Sequence, residues 1–275
     1  MTPRSSSLGT SKASVRAKSA ILHPVETVHR IGGRIEIARE AGARRYDETD
    51  GWERRLHIVL GAPWPCPDRA GFDERWQSLS EALSNLGWGH DADPVFARVV
   101  GCVVLHARPA KVVELGVGRG VTTRFILQAM ATYDDGALWS IDLPPLLEGW
   151  RSSVAEAVPP DMRRGWTYVR GASRTKLPRL LRQLQEIDLF VHDSLHTAPT
   201  VARDLSRAWP RVRPGGVLLV DGIQRSDAFG VFTSAHPGET HLIGAHEQKD
   251  GWLGIMVKGS AGAGGHPYPN EPRVS

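Results

Sequence analysis

The sequence predicts an α/β fold, a parallel sheet covered by helices on both faces and closed at one edge by an antiparallel hairpin. Three observations predict it. From Lys111 onward, short apolar runs without polar alternation recur between helix-length segments, which is how strands buried on both faces read. One of them, in Val112-Val-Glu-Leu-Gly-Val-Gly-Arg-Gly120, runs straight into glycines and then into a helical pattern. The last two apolar runs, 240–245 and 252–257, are joined by His-Glu-Gln-Lys-Asp-Gly, too short for a crossover helix.

Residues 21–92 read as a mainly helical N-terminal cap. Its clearest helix is Gly71 to Leu86, where Phe72, Trp76, Leu79, Leu83 and Leu86 recur at steps of four and three and Gly87 is the stop. That stripe is expected to pack against the main domain. The Pro-dense Gly61-Ala-Pro-Trp-Pro-Cys-Pro67 excludes helix and central strand, so it is a rigid loop. Of the tryptophans, Trp139 and Trp209 are expected in the core. Trp52, Trp64, Trp76 and Trp88 are less constrained, and one or two of them are candidates to floor an acceptor pocket. Asp93-Pro94 is a helix start, an acid capping free amides and a proline at the first helical position.

The main domain spans 93–258. After the apolar helix that ends before Pro109, the expected strands are Lys111–Leu115, Leu138–Ile141, Trp166–Val169, Asp188–Val191 and Gly216–Val220. Helices are expected at Val121 to about Thr132, Lys176–Gln185 and Ala198–Trp209, the last with Val201, Leu205 and Trp209 on one face. Residues 1–20 and 259–275 are Ser-, Gly- or Pro-rich without apolar periodicity and are expected to be disordered tails.

Composition narrows the function classes. The chain has 275 residues, 34 basic against 30 acidic. Residues 1–20 hold Arg4, Lys12, Arg16 and Lys18 and no acid, so the remainder balances and gives no general support for a nucleic-acid partner. No apolar run approaches the ~20 residues that span a bilayer, and the N-terminus lacks the apolar stretch of a secretory signal. Cys66 and Cys102 are far apart in sequence and form no Cys-x-x-Cys pair. The expectation is therefore neither a disulfide scaffold nor a zinc–thiolate site, and a reducing cytoplasm.

The chemistry concentrates at strand ends. Gly116, Gly118 and Gly120 let the chain turn tightly and let a ligand approach where no Cβ stands, at the carboxyl edge where ligands bind in such sheets. Asp142 ends the next strand, where a carboxylate can accept both ribose hydroxyls. A nicotinamide-dinucleotide site shares that spacing. Three features count against it: the glycines run G-x-G-x-G with Val121 next, Glu114 sits two residues before the first glycine, and the terminal hairpin is foreign to an all-parallel dinucleotide fold.

Taken together, E-L-G-V-G-R-G (114–120), S-I-D (140–142), D-L-F-V-H-D-S-L-H-T (188–197) and R-P-G-G-V-L-L-V-D-G-I (213–223) resemble the class I S-adenosylmethionine-dependent methyltransferases. The resemblance is to the branch with macrocin and rhamnosyl O-methyltransferases and cephalosporin-pathway methyltransferase-like proteins, over roughly 95–258. It implies a Rossmann-like seven-stranded sheet and S-adenosylmethionine as cofactor. Glu114 would contact the methionine amino end, the loop of Gly116, Val117, Gly118 and Gly120 its backbone, and Asp142 the ribose. In G-A-S (171–173), Ala172 replaces an acid near the adenine and Ser173 is retained. Asp193 and His196 would be the catalytic pair, with Asp193 also near the cofactor. In metal-dependent relatives Asp193 and Asp221 would hold Mg²⁺, hard oxygen ligands being what that ion prefers. Where relatives often read Asp-Asp, this chain reads Asp221-Gly222, so one ligand is missing and the metal stays open. His196 is either the base or a hydrogen-bonded loop residue, Asp193 either functional or a cap, and His192 a packed group. The implied acceptor is a hydroxyl on a small natural product or sugar, with the chain acting alone or as a homo-oligomer. The rival reading is a catalytically silent cofactor-binding or partner subunit, kept alive by Ala172 and Gly222.

Overall fold

A computed structural model describes residues 23–39, 45–85, 92–133, 135–145 and 153–259. Both expected tails, apart from Gly259, lie outside the described residues, as do Leu86, Gly87 and Trp88.

Seven strands form one sheet: β1 (Lys111–Leu115), β2 (Ala137–Asp142), β3 (Trp166–Arg170), β4 (Ile187–His192), β5 (Val212–Val220), β6 (Thr240–Ala245) and β7 (Trp252–Val257), in the order β3-β2-β1-β4-β5-β7-β6. The first five are parallel, and β7 runs antiparallel to both β5 and β6. Successive side chains along the central strands β1 and β4 serve opposite cores, so neither face tolerates polar alternation there. Val112 and Val191 pack on one face with helices α4 (Pro94–Ala107) and α5 (Val121–Met130). Val113, Leu115 and Phe190 pack on the other with α6 (Ser173–Leu184), α7 (Ala198–Ala208) and α8 (Ala228–Ser234).

The cap is helical, as expected, in three pieces: α1 (Pro24–Arg39), α2 (Trp52–Val59) and α3 (Arg69–Asn85). The α3 stripe packs on the main domain, with Phe72, Trp76, Leu79 and Leu83 buried against Ala97, Val121 and Phe125. Trp52 and Trp76 are core residues: Trp52 fills the space beside Gly244, and Trp76 stacks on Phe125. Trp64 is exposed, Trp209 is buried, and Trp139 packs at the edge of the second core. Asp93 caps α4 as expected, Val95 N–H donating to Oδ1 at 2.9 Å. The same carboxylate accepts from Glu247 N–H and Gln248 N–H, which pins the β6–β7 turn to the start of α4.

Most boundaries fall within one or two residues of the sequence reading, and three differences are larger. Helix α6 starts at Ser173 rather than Lys176, with Pro178 inside its second turn. Strand β5 starts at Val212 because Arg213-Pro-Gly-Gly continues it through a register irregularity. Helix α8, seven residues long, has no sequence counterpart because so short a segment shows too little periodicity.

Candidate functional site

Strand order reverses between β1 and β4, so the crevice beyond their carboxyl ends is the switch point at which such sheets bind ligands. The glycine loop sits there, and its three glycines have three different causes. A Cβ on Gly116 (φ +88°) would stand 1.8 Å from the Asp193 carbonyl oxygen, so this glycine lets the loops after β1 and β4 touch. A Cβ on Gly120 (φ +86°) would meet Val158 at 2.8 Å, so this one admits the 153–158 segment, whose Ala155 and Ala157 amides bond the loop carbonyls. Only Gly118 (φ +51°) faces open space. Gly118 alone therefore fits the expectation that glycine clears a ligand's path.

Glu114 is fully buried. Its Oε2 accepts from Thr123 Oγ1 at 2.8 Å and Ser140 Oγ at 2.6 Å, while Oε1 is buried with no hydrogen-bond partner among the described residues. Burial pushes its pKa up to about 7 against those two bonds, with Asp142 adding to the rise. Asp142 accepts from the backbone N–H groups of Gly118, Leu143 and Val117; burial nonetheless leaves its pKa raised. Helix α1 lies across this edge. Arg30 donates to the Leu143 carbonyl and acts electrostatically on Asp142, Glu26 pairs with Arg170 at 2.7 Å, and Glu36 accepts from Thr197 and Thr200 at 2.6 and 2.8 Å.

At the ends of β4 and β5, Asp193, His196 and Asp221 bring one donor atom each within 4.8 Å of one another. Asp193 Oδ2 accepts from Thr122 Oγ1 at 3.2 Å, which ties it to the start of α5. The His196 ring packs on Gly222, where a Cβ would stand 3.1 Å from Nδ1, and that nitrogen has no hydrogen-bond partner among the described residues. Burial pushes the His196 pKa down to about 4, outweighing the opposing pull of Asp221. Asp221 is already neutralised: His246 Nε2 lies 2.9 Å from Oδ1 and Lys249 Nζ 3.0 Å from Oδ2. Those contacts outweigh burial and hold its carboxyl well below the usual range. His246 Nδ1 lies 3.2 Å from Asp93, and burial notwithstanding, the two acids raise the His246 pKa.

Residues 113–223 match the family model of a methyltransferase domain. Among solved structures, the chain is similar to the O-methyltransferase TomG from Streptomyces achromogenes, involved in tomaymycin synthesis and solved with SAM (14% identity, 78% of this chain and 100% of that one, TM-score 0.54). It is also similar to an O-methyltransferase from Bacillus cereus in complex with SAH (16% identity, 76% and 99%, TM-score 0.51). Cofactor-bound Rv0187 from MTB aligns at 15% identity over 79% of this chain and all of its own, with TM-score 0.51. No curated protein sequence matches. The fold is that of the class I methyltransferases.

Within this methyltransferase fold, Glu114, Val117, Gly118 and Asp142 gather at the β1–β2 edge, and Asp193, His196 and Asp221 gather at the β4–β5 edge. Ser173 donates to Asp204 Oδ2 at 2.7 Å, beside fully buried His192. His192 is the packed group that was expected. The sequence reading missed His246 and Lys249, treating 246–251 as a mere connector. A signal existed: β7 returns antiparallel beside β5, with Val220 opposite Gly254, so the turn before β7 must overhang the carboxyl end of β5. No described helix is long and apolar enough to cross a membrane.

Proposed function

We propose that the chain is an S-adenosylmethionine-dependent O-methyltransferase acting on a hydroxyl of a small natural product or sugar in the cytoplasm. The observation that carries this reading is Glu114 Oε1, a fully buried carboxylate oxygen without a hydrogen-bond partner among the described residues, on the strand that leads into the loop whose Gly118 faces open space. Buried polar atoms are almost always paired, so this orphan points to a ligand. The residues fit the cofactor: Glu114 offers a carboxylate oxygen to its ammonium group, Gly118 leaves room for its backbone, and Asp142 stands at the ribose position. When bound, the cofactor supplies an electrophilic sulfonium methyl.

The chain's own work is to position the acceptor and remove its proton. Holding two reactants in line accounts for a large share of such a rate gain. His196 is neutral at physiological pH, with an unpartnered ring nitrogen to take the hydroxyl proton. Asp221 stands within reach to stabilise the imidazolium that results. The neighbours that carry the O-methyltransferase description and the family match to residues 113–223 support this reading. They favour it over a silent subunit.

Asp193, His196 and Asp221 fit Mg²⁺ poorly. That ion wants near-octahedral oxygen ligands. Here His246 and Lys249 already stand on Asp221, and the His196 ring fills the place beside Gly222. The test is binding and transfer with the full chain: S-adenosylhomocysteine should raise its melting temperature, and labelled methyl should pass to hydroxylated acceptors. A protein that responds to NADH and to neither sulfur nucleotide would overturn the reading. So would methyl transfer confined to nitrogen or carbon acceptors.

A further inference from the structure

Cys66 and Cys102, 36 positions apart in sequence, come together in the fold and bring two histidines with them. Sγ of Cys66, Sγ of Cys102 and one imidazole nitrogen of His57 lie within 4.8 Å of one another. His57 Nε2 is 3.3 Å from Cys102 Sγ, and His106, outside that trio, places Nε2 3.6 Å from Cys66 Sγ. The two imidazole rings stand edge to face with centroids 5.4 Å apart. Each ligand comes from a firm element. Cys102 and His106 lie one turn apart on the same face of α4, His57 is in the last turn of α2, and Cys66 is on the Pro-dense loop that links α2 to α3.

We infer that His57, Cys66, Cys102 and His106 form a structural zinc site, which nails the N-terminal cap to the first helix of the methyltransferase domain. Two thiolates and two imidazoles are the donor set of a closed tetrahedral site. With ordinary zinc–sulfur and zinc–nitrogen bond lengths, a tetrahedron puts sulfur and nitrogen ligands about 3.6 Å apart, which the two Cys–His distances approach.

The surroundings are prepared for a cation. His57 Nδ1 lies 2.6 Å from the Pro63 carbonyl, which can only accept. The ring proton is thereby fixed on Nδ1 and the Nε2 lone pair faces Cys102, the outer hydrogen bond that metal-bound histidines characteristically make. Cys66, half-exposed on its loop, gives an ion a way in.

The site stands in the half of α4 that leads to the amino end of β1, away from the glycine loop, so its role is to hold the cap. This inference is independent of methyl transfer. Elemental analysis of the full chain, purified without chelator, should find about one zinc per chain. Replacement by Co²⁺ should give the intense visible bands of a tetrahedral ion and thiolate-to-cobalt charge transfer in the near ultraviolet. Cys66→Ser, in a loop, should abolish both signals while the circular dichroism of a folded chain remains. His106→Ala should weaken retention against chelator, and both variants should melt earlier than wild type. Any of three results would overturn the inference: both thiols reacting freely in zinc-free wild type, a Cys66–Cys102 disulfide in that protein, or stoichiometric zinc persisting in C66S/C102S.

Discussion

Two clusters of potential metal ligands stand toward opposite ends of α4, and they differ in what already surrounds them. At the carboxyl edge, Asp221 has the Lys249 ammonium at 3.0 Å and the His246 imidazole at 2.9 Å, so the protein supplies its own cation. In the cap, Cys66 and Cys102 face two imidazoles, one of them already hydrogen-bonded to a carbonyl, and nearby Arg98 is paired with Glu53. Ligand type alone marks both as metal sites. Charge balance separates them, because a buried anion demands a partner and takes an external ion only where none is built in. Glu114 follows the same rule as the cap, its orphan oxygen inviting the ammonium of a cofactor.

The largest effect that tests this contrast is on turnover. If the carboxyl-edge cluster does proton transfer, His196→Ala should lower the turnover number by about 10²–10⁴-fold, with S-adenosylhomocysteine affinity and zinc content unchanged. The pH dependence sharpens it. With a folded-state pKa of about 4, His196 is already neutral at pH 6–8, so turnover at saturating cofactor should show no limb from it there and should fall only in acid. The folded state binds fewer protons than the unfolded state between about pH 4 and the ordinary value near 6.5. Wild type therefore loses stability as pH falls through that window, and His196→Ala should lose less. A variant with normal turnover and an earlier melting midpoint would make His196 a structural residue and break the contrast.

What the sequence shows of this arrangement depends on how local the signal is. The strands of the parallel sheet, the Asp93 cap and the α3 stripe were legible because period, capping and burial act within a few residues. The candidate residues on β1, β2, β4 and β5 could be picked out because they stand at strand ends and at the glycine turn. Other partners depend on tertiary return. His246 and Lys249 reach Asp221 only because β7 folds back beside β5. The four zinc ligands meet only because the Pro-dense loop folds onto α4, so their spacing matches no short motif and the two cysteines read as isolated. The glycines show a subtler limit: Gly116 and Gly120 are required by loop packing, which a glycine triplet cannot distinguish from ligand clearance.

A smaller effect is expected at Glu114. Its folded-state pKa of about 7 lies above the ordinary value of 4.5, so the folded chain holds a proton that the unfolded chain has released across that interval. Apo stability should thus fall as pH rises from about 5 to 7, by at most on the order of 3 kcal/mol from this group. In Glu114→Gln that component is absent, and the variant's melting temperature should gain on wild type as pH rises. Cofactor affinity should move the opposite way in wild type, strengthening as the carboxylate ionises, and should be weak at every pH in the variant. Parallel melting curves for the two proteins from pH 5 to 8 would show that Glu114 is paired in a way the orphan oxygen contradicts.

The smallest effect tests the built-in cation directly. Lys249→Met keeps the chain length and removes the ammonium from Asp221, leaving His246 as its remaining close cation. A partly exposed lysine next to a buried carboxylate should cost about tenfold in turnover when lost, roughly 1.4 kcal/mol. The informative part is the response to millimolar Mg²⁺. Wild type should be indifferent to it, because the ion would have to displace the Lys249 ammonium and the His246 imidazole and gain only Asp193, Asp221 and His196 in exchange. Lys249→Met should recover part of its loss with Mg²⁺, since one oxygen of Asp221 is then unbalanced and a hard cation can replace the ammonium. If wild type is stimulated as strongly as the variant, Asp221 is a metal ligand after all. The two clusters would then differ only in ligand softness and not in charge balance.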